Sequence, residues 1–283
     1  MLWACHARVF GAARPVAPAS DRLGPGNPPF SPPWGESPPE APLPGLMPVL
    51  MPVLMMEGTT AMGQSVLVIA PHADDEVLGC GGAIARHADG GDEVHVAIVT
   101  WGDPQIYPDD DAAEIRAEIE AAHQLLGVAS TTYLPFPAPG LDVIAGYQLA
   151  DAIAQVIRQV QPQTVYLPHH GDIHTDHQAV YQATLVAARP INQCPVRRLL
   201  CYETLSETEW SPPRGDTAFI PTVFIDISDH LDRKLKAMTC YGMELKEFPH
   251  PRSLPALTAL AHLRGTTVGL AAAEAFALVR QIS

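Results

Sequence analysis

The sequence predicts an α/β fold with a largely parallel sheet. Short apolar runs alternate with amphipathic segments of ten to fifteen residues. Two of these runs end directly in clusters of His and Asp, at Pro71–Glu76 and at His169–His177. Helices inserted between strands build βαβ units with right-handed crossovers, and ligands in such sheets gather outside the carboxyl ends of the strands.

The elements follow in order. Val66–Ala70 is a strand, and Val77 to Ala88 a helix stopped by Gly90-Gly91. Val94–Thr100 reads as the second strand. Asp111 to Leu126 places Ile115, Ile119, Ala122 and Leu126 at helical spacing, with Gly127 as its stop. Thr131–Leu134 is a short strand, Leu149 to Val160 a third helix, and Thr164–Leu167 a fourth strand, with the next helix starting near His174. Leu199–Glu203 and Thr222–Ile227 are further strands, the latter leading to a Ser228/Asp229 cap and a helix to about Tyr241. The Ala- and Leu-rich tail from Pro255 to Ile282 is predicted to be mostly helical.

The length of 283 residues fits one large domain, or one domain plus an appendage. A hydrophobic content of 47% is ample for its core. The net charge of −14 argues against a nucleic-acid partner, which needs a basic surface. Five cysteines without paired spacing read as reduced thiols of a cytoplasmic protein. No apolar stretch approaches eighteen residues, so no membrane span is predicted. Thirteen of the 29 prolines fall in residues 1–62, a density that excludes regular helix or ladder pairing. That segment reads as a disordered Pro-rich extension, and residues 63–283 as the functional domain.

The chemistry concentrates at the two strand ends. His72 and Asp75 are three apart on a turn into a helix, as are His174 and His177, so each pair can address one centre. Two imidazoles and a carboxylate suit zinc with an open position for water, and the donor types alone leave Fe²⁺ open as well. Asp74, beside Asp75, is then a natural general base, and a remaining histidine can serve the developing oxyanion if an acidic neighbour such as Asp176 keeps it protonated. Gly79, Gly81 and Gly82 follow the acidic residues, whose charge would repel a pyrophosphate. The pattern therefore argues against a dinucleotide site, and these glycines instead let the first helix approach the sheet closely. Glu76 reads as a structural acid gaining from the helix dipole.

Pro71-His72-Ala73-Asp74-Asp75-Glu76 resembles the Pro-His-Pro-Asp-Asp-Glu signature of the LmbE/PIG-L family of zinc-dependent N-acetylglucosamine deacetylases. His174-Thr175-Asp176-His177-Gln178-Ala179-Val180 resembles that family's His-x-Asp-His-x-x-Val signature. Ala73 departs from the family's frequent proline but coordinates nothing. The resemblance spans roughly residues 65 to 282 and implies a Rossmann-like three-layer fold with a mostly parallel sheet. It makes His72, Asp75 and His177 the zinc ligands, Asp74 the base, and His174 the electrophilic acid, with Asp176 orienting and charging it.

By the same likeness Arg116 is a candidate contact to sugar hydroxyls, a surface salt bridge to Glu118 being the alternative; His170 and Asp172 are candidate pocket contacts from the second cluster's own loop. Trp101, Gly102, Asp103, Tyr107 and Pro135–Asp142 are placed to shape a sugar subsite. The expected partner is a small-molecule conjugate of an N-acetylated amino sugar, and the likeness is compatible with a homo-oligomer. Hydrolysis of another acylated glycoconjugate and sugar binding without chemistry are the rival readings.

Overall fold

The computed structural model describes residues 63–283 except 104, 109 and 110, and the stretch 1–62 lies outside the described residues. β1 (Ser65–Ala70) is an unbroken apolar run, and side chains alternate faces along a strand. Val66, Val68 and Ala70 enter one core with Leu78, Ile84, Ile119 and Met238. Leu67 and Ile69 enter a second core with Ile153, Val156 and Val180. A strand buried on both faces needs a helical layer on each side, so the sequence of β1 alone demands three layers.

Those layers are α1 (Asp75–Asp89), β2 (Glu93–Gly102), α2 (Ala112–Leu126), β3 (Ser130–Ala138), α3 (Gly146–Val160), β4 (Thr164–Pro168), α4 (Thr175–Ala187), β5 (Arg198–Tyr202), β6 (Val223–Asp226), α5 (Leu231–Met238), α6 (Leu254–Thr266) and β7 (Ala273–Gln281). The seven strands run in the order β3-β2-β1-β4-β5-β7-β6. β1 pairs in parallel with β2 and β4, as do β2 with β3 and β4 with β5. β7 is antiparallel to both β5 and β6. The fold is thus the expected Rossmann-like three-layer α/β arrangement with a mostly parallel sheet. β1 and β4 lie side by side where the strand order reverses, which opens a crevice at their carboxyl ends.

Three expectations need correction. The tail is helical only through α6; β7 then inserts between β5 and β6. Its Ala-rich sequence favours helix locally, but pairing on both edges overrides that preference, and Gly269 at φ 76° marks the break. Ser228 does not cap α5: its hydroxyl turns back to Asp226 Oδ1 at 2.6 Å, and His230 takes the cap position without a side-chain bond. β3 runs on to Ala138 rather than stopping at Leu134, because an edge strand tolerates Pro135 and Pro137.

The glycines of α1 do allow close packing. A methyl group at Gly79 would lie 2.3 Å from the Tyr202 ring on β5, and one at Gly82 would lie 2.7 Å from Ile227. The approach lets a buried ion pair reach the middle of α1. Glu274 accepts from Gly82 N at 2.9 Å and Ala83 N at 2.7 Å, while Lys234 Nζ donates to Leu78 O at 2.8 Å and to Glu274 at 2.6 Å. No helix among the described residues is long and apolar enough to cross a membrane.

Candidate metal centre and catalytic cleft

The turn between β1 and α1 carries His72, Asp74 and Asp75, and Pro71 is held against the end of β2 by Thr100, whose hydroxyl donates to Pro71 O at 2.7 Å. The start of α4 carries His174 at the cap position, then Asp176 and His177. Because β1 and β4 are neighbours, the two turns meet. One ligand atom each from His72, Asp75 and His177 lie within 4.8 Å of one another, as do atoms from His72, His174 and Asp176. His72 Nδ1 and His177 Nε2 both lie 3.2 Å from Asp75 Oδ2.

Hydrogen bonding decides which triple suits a cation. His177 Nδ1 donates to Asp172 Oδ2 at 2.9 Å, so Nε2 is the nitrogen left to offer a lone pair once a cation displaces its proton. That Nε2 and Asp75 Oδ1 are buried and have no hydrogen-bond partner among the described residues, a costly arrangement unless a cation completes it. Asp176, in contrast, is fully engaged: Oδ1 accepts from Gly140 N at 3.1 Å and Leu141 N at 2.8 Å, and Oδ2 lies 3.2 Å from His72 Nε2. The His72–Asp75–His177 donor set therefore fits a divalent metal. Each of its imidazoles has a carboxylate behind it, Asp176 for His72 and Asp172 for His177, the arrangement that fixes a ligand's tautomer and ring orientation.

Two assignments from the sequence change accordingly. Asp172 is not a cleft contact: it is fully buried behind His177 and also accepts from Thr208 Oγ1 at 2.7 Å. Asp176 does not keep His174 charged: its carboxylate raises the imidazole but is outweighed, and its contact with the ring is through the backbone N–H, donating to Nδ1 at 3.1 Å. Burial, reinforced by His72 and His177, pulls His174 down to about 4, so its imidazole is neutral and Nε2 carries the proton. In the metal-free site burial also pulls His72 down, but Asp176 and Asp75 outweigh it and raise the imidazole to about 9. Burial pushes Asp75 upward, yet His177 and His72 hold its carboxyl well below the usual range.

Asp74 is buried at the entrance of α1 with φ 104°, a backbone geometry rare for a residue with a side chain. Glu76 holds it there, Oε2 accepting from Asp74 N at 3.2 Å. Glu76 is thus more than a complement to the dipole: it also takes bonds from Tyr241 OH and, at 3.3 Å, His123 Nε2. Burial pushes the Asp74 carboxyl well above the ordinary range despite the guanidinium of Arg252, whose Nη1 donates to Asp74 Oδ2 at 2.9 Å. Arg252 has no local sequence signal and escaped the sequence reading.

A cleft of about 510 Å³ opens from His72, Asp74 and His174. Trp101, Gly102, Tyr107 and Pro139 line it, as the sequence suggested, and so do Tyr241, Glu244 and Arg252. Arg116 stacks on aromatic rings rather than pairing with Glu118, whose Oε1 accepts from Gly242 N. Its exposed guanidinium lies 4.3 Å from the Tyr133 ring centroid and 5.5 Å from that of Trp101, a residue that lines the cleft. His170 sits away from the cleft, its Nε2 2.5 Å from Asp216 O.

Residues 67–188 match the family described as GlcNAc-PI de-N-acetylase, PIG-L. An uncharacterized deacetylase of Escherichia coli, YaiS, is 33% identical over 174 residues, covering 59% of this chain and 83% of the relative. A 1D-myo-inositol 2-acetamido-2-deoxy-alpha-D-glucopyranoside deacetylase of Saccharopolyspora erythraea is 27% identical, covering 64% of this chain and 78% of its own. A Pseudomonas putida relative named 4-oxalmesaconate hydratase is 27% identical, over 62% of this chain and 72% of its own. Among solved structures, the conserved protein TT1542 of Thermus thermophilus aligns with TM-score 0.64 and 26% identity, covering 78% of this chain and 96% of that one. With both signature turns converging on one cation-shaped donor set inside this fold, the chain belongs to the PIG-L/LmbE family.

Proposed function

We propose that residues 63–283 form a zinc-dependent hydrolase that removes the acetyl group from an N-acetylated amino sugar or its conjugate. The observation that carries this reading is the pair of orphaned buried atoms, Asp75 Oδ1 and His177 Nε2, beside a buried carboxylate, Asp74, that opens onto a cleft. His72, Asp75 and His177 would hold the metal, and two nitrogens with one carboxylate oxygen suit zinc as they also suit Fe²⁺. When bound, such an ion lowers the pKa of water and polarises an amide carbonyl.

The remaining steps belong to side chains of this chain. Asp74, raised by burial, takes the proton of the attacking water and can return it to the departing amine. His174, neutral with its proton on Nε2, donates to the oxygen that becomes negative in the tetrahedral transition state. A neutral donor at this point stabilises charge without first having to be ionised. Trp101 and Tyr107 supply flat apolar surface of the kind that sugar rings stack on.

Free-amine release from N-acetylglucosamine and N,N'-diacetylchitobiose tests the reading. The zinc-loaded protein should release amine, lose the activity on chelation and regain it on adding zinc. Asp74→Asn should bind zinc normally and turn over almost nothing. Turnover indifferent to both chelation and Asp74→Asn would end this proposal. The hydratase relative motivates a second reading, water addition to an unsaturated tricarboxylate. Such a substrate would be consumed with no amine formed.

A further inference from the structure

We infer that Arg252 is the positioning residue that fixes the Asp74 carboxylate in its working orientation. The inference rests on Asp74 being the general base. Arg252 stands just before α6, and its guanidinium crosses 178 positions of sequence to reach Asp74. Its donors are distributed over three segments. Nη1 bonds Asp74 Oδ2 at 2.9 Å and Glu244 Oε2 at 2.7 Å; Nη2 reaches Glu207 Oε1 at 3.3 Å; Nε donates to Ser206 Oγ at 2.8 Å. The planar fork is therefore anchored on two sides by the loop after β5 and on a third by the loop after α5, and it presents one N–H to Asp74.

The anchoring has a purpose at Asp74. The Asp74 backbone stands in the left-handed region and its side chain makes no capping bond to α1, so the helix does not orient the carboxylate. Glu76 secures the backbone N–H alone. Of the described side chains, Arg252 is the one that hydrogen-bonds the carboxylate itself. A base displaced by about 1 Å costs on the order of 100-fold in rate. Lysine cannot substitute fully, because an ammonium lacks the planar fork that serves Ser206 and Asp74 together.

Arg252→Gln, Arg252→Lys, Arg252→Ala and Asp74→Asn are compared for amine release from the two acetylated sugars, with zinc content and melting temperature measured in each. Arg252→Gln should lower kcat by roughly 10- to 100-fold, the usual size of a supporting-residue effect, with KM and zinc content little changed. Arg252→Lys should fall between it and the parent. Added guanidinium ion should restore part of the kcat of Arg252→Ala. If Arg252 variants misfold, Ser206→Ala removes only the Nε anchor and should show the same kcat-selective loss at smaller size.

A readout independent of turnover is a crystal structure of Arg252→Gln, in which the Asp74 carboxylate should leave its place while His72, Asp75 and His177 keep theirs. An unmoved Asp74 would overturn the assignment. So would full kcat in Arg252→Gln alongside a dead Asp74→Asn, which removes Arg252 and leaves the base intact. A loss of kcat, KM and melting temperature together, without guanidinium rescue, would also overturn it by making Arg252 structural. An active Asp74→Asn would remove the base reading and this inference with it.

Discussion

Replacing Asp172 separates a ligand-orienting carboxylate from a substrate contact. Asp172 is fully buried; Oδ2 accepts from His177 Nδ1 at 2.9 Å and Oδ1 from Thr208 Oγ1 at 2.7 Å. Alanine leaves both donors without an acceptor, and each orphaned buried donor costs about 1–3 kcal/mol. The metal-free fold should therefore lose roughly 2–6 kcal/mol. The freed imidazole can also rotate or move its proton to Nε2, which should weaken zinc by about 10- to 100-fold. Asparagine behaves differently. Its Oδ1 can face His177 while Nδ2–H faces Thr208, whose hydroxyl turns to accept, so that only the charge is lost. Affinity should then fall by about tenfold, roughly 1.4 kcal/mol, with most of the fold stability kept. Zinc competition against a chromophoric chelator and thermal melts of the metal-free variants measure both quantities. Parental zinc affinity in Asp172→Ala together with a raised KM would refute the reasoning and return Asp172 to the substrate.

Removing the metal should also change how the fold responds to pH. His72 is raised from 6.5 to about 9 in the folded, metal-free protein, so its contribution to stability is complete below about pH 6.5 and lost as pH rises through 9. Melting curves of chelator-treated protein should fall over that window, whereas zinc affinity should rise across it as the competing proton leaves; a flat apo profile would contradict the His72 environment. Arg116→Ala should cost about 0.5–1 kcal/mol of stability through its lost contact with Tyr133 and leave KM for either acetylated sugar unchanged, since the guanidinium is engaged with Tyr133 and Trp101; a KM increase would make it a substrate contact.

The candidate metal-binding group was legible because both signature turns are local in sequence. His72 and Asp75, and then His177, each stand within a few residues of an apolar strand whose end fixes where they go. The parallel order of β1 to β5 follows from the same alternation. What the sequence left ambiguous were directions rather than identities. Asp172 in a loop reads alike whether it faces the cleft or backs His177, and only the turn of its side chain decides. Asp176 sits near His174 in sequence yet spends its carboxylate on His72 and the backbone of Gly140 and Leu141. Arg252 carries no local signal, since Asp74, Ser206 and Glu207 come from two remote segments and only Glu244 stands nearby, eight positions upstream. β7 was hidden for a related reason: its pairing with β5 and β6 outweighs an Ala-rich composition.

The antiparallel end of the sheet is more than an extension, because it holds the helix that starts at the metal centre. α1 begins with Asp75, and its middle is gripped by Glu274 from β7 and Lys234 from α5. The Lys234–Glu274 pair occupies backbone groups of Leu78, Gly82 and Ala83 that an undisturbed helix would pair internally, Leu78 O with Gly82 N among them. Neither residue can be removed cheaply: a buried charge that loses its partner typically costs about 3–5 kcal/mol. The grip lies only three to eight positions from Asp75, and the loops on either side of it, after β5 and after α5, carry the residues that bind Arg252. The proposed ligand Asp75 and the proposed base Asp74 thus take their positions from the C-terminal third of the chain. The two signature motifs place the donor atoms, and β7, α5 and Arg252 set the orientation in which those atoms can act.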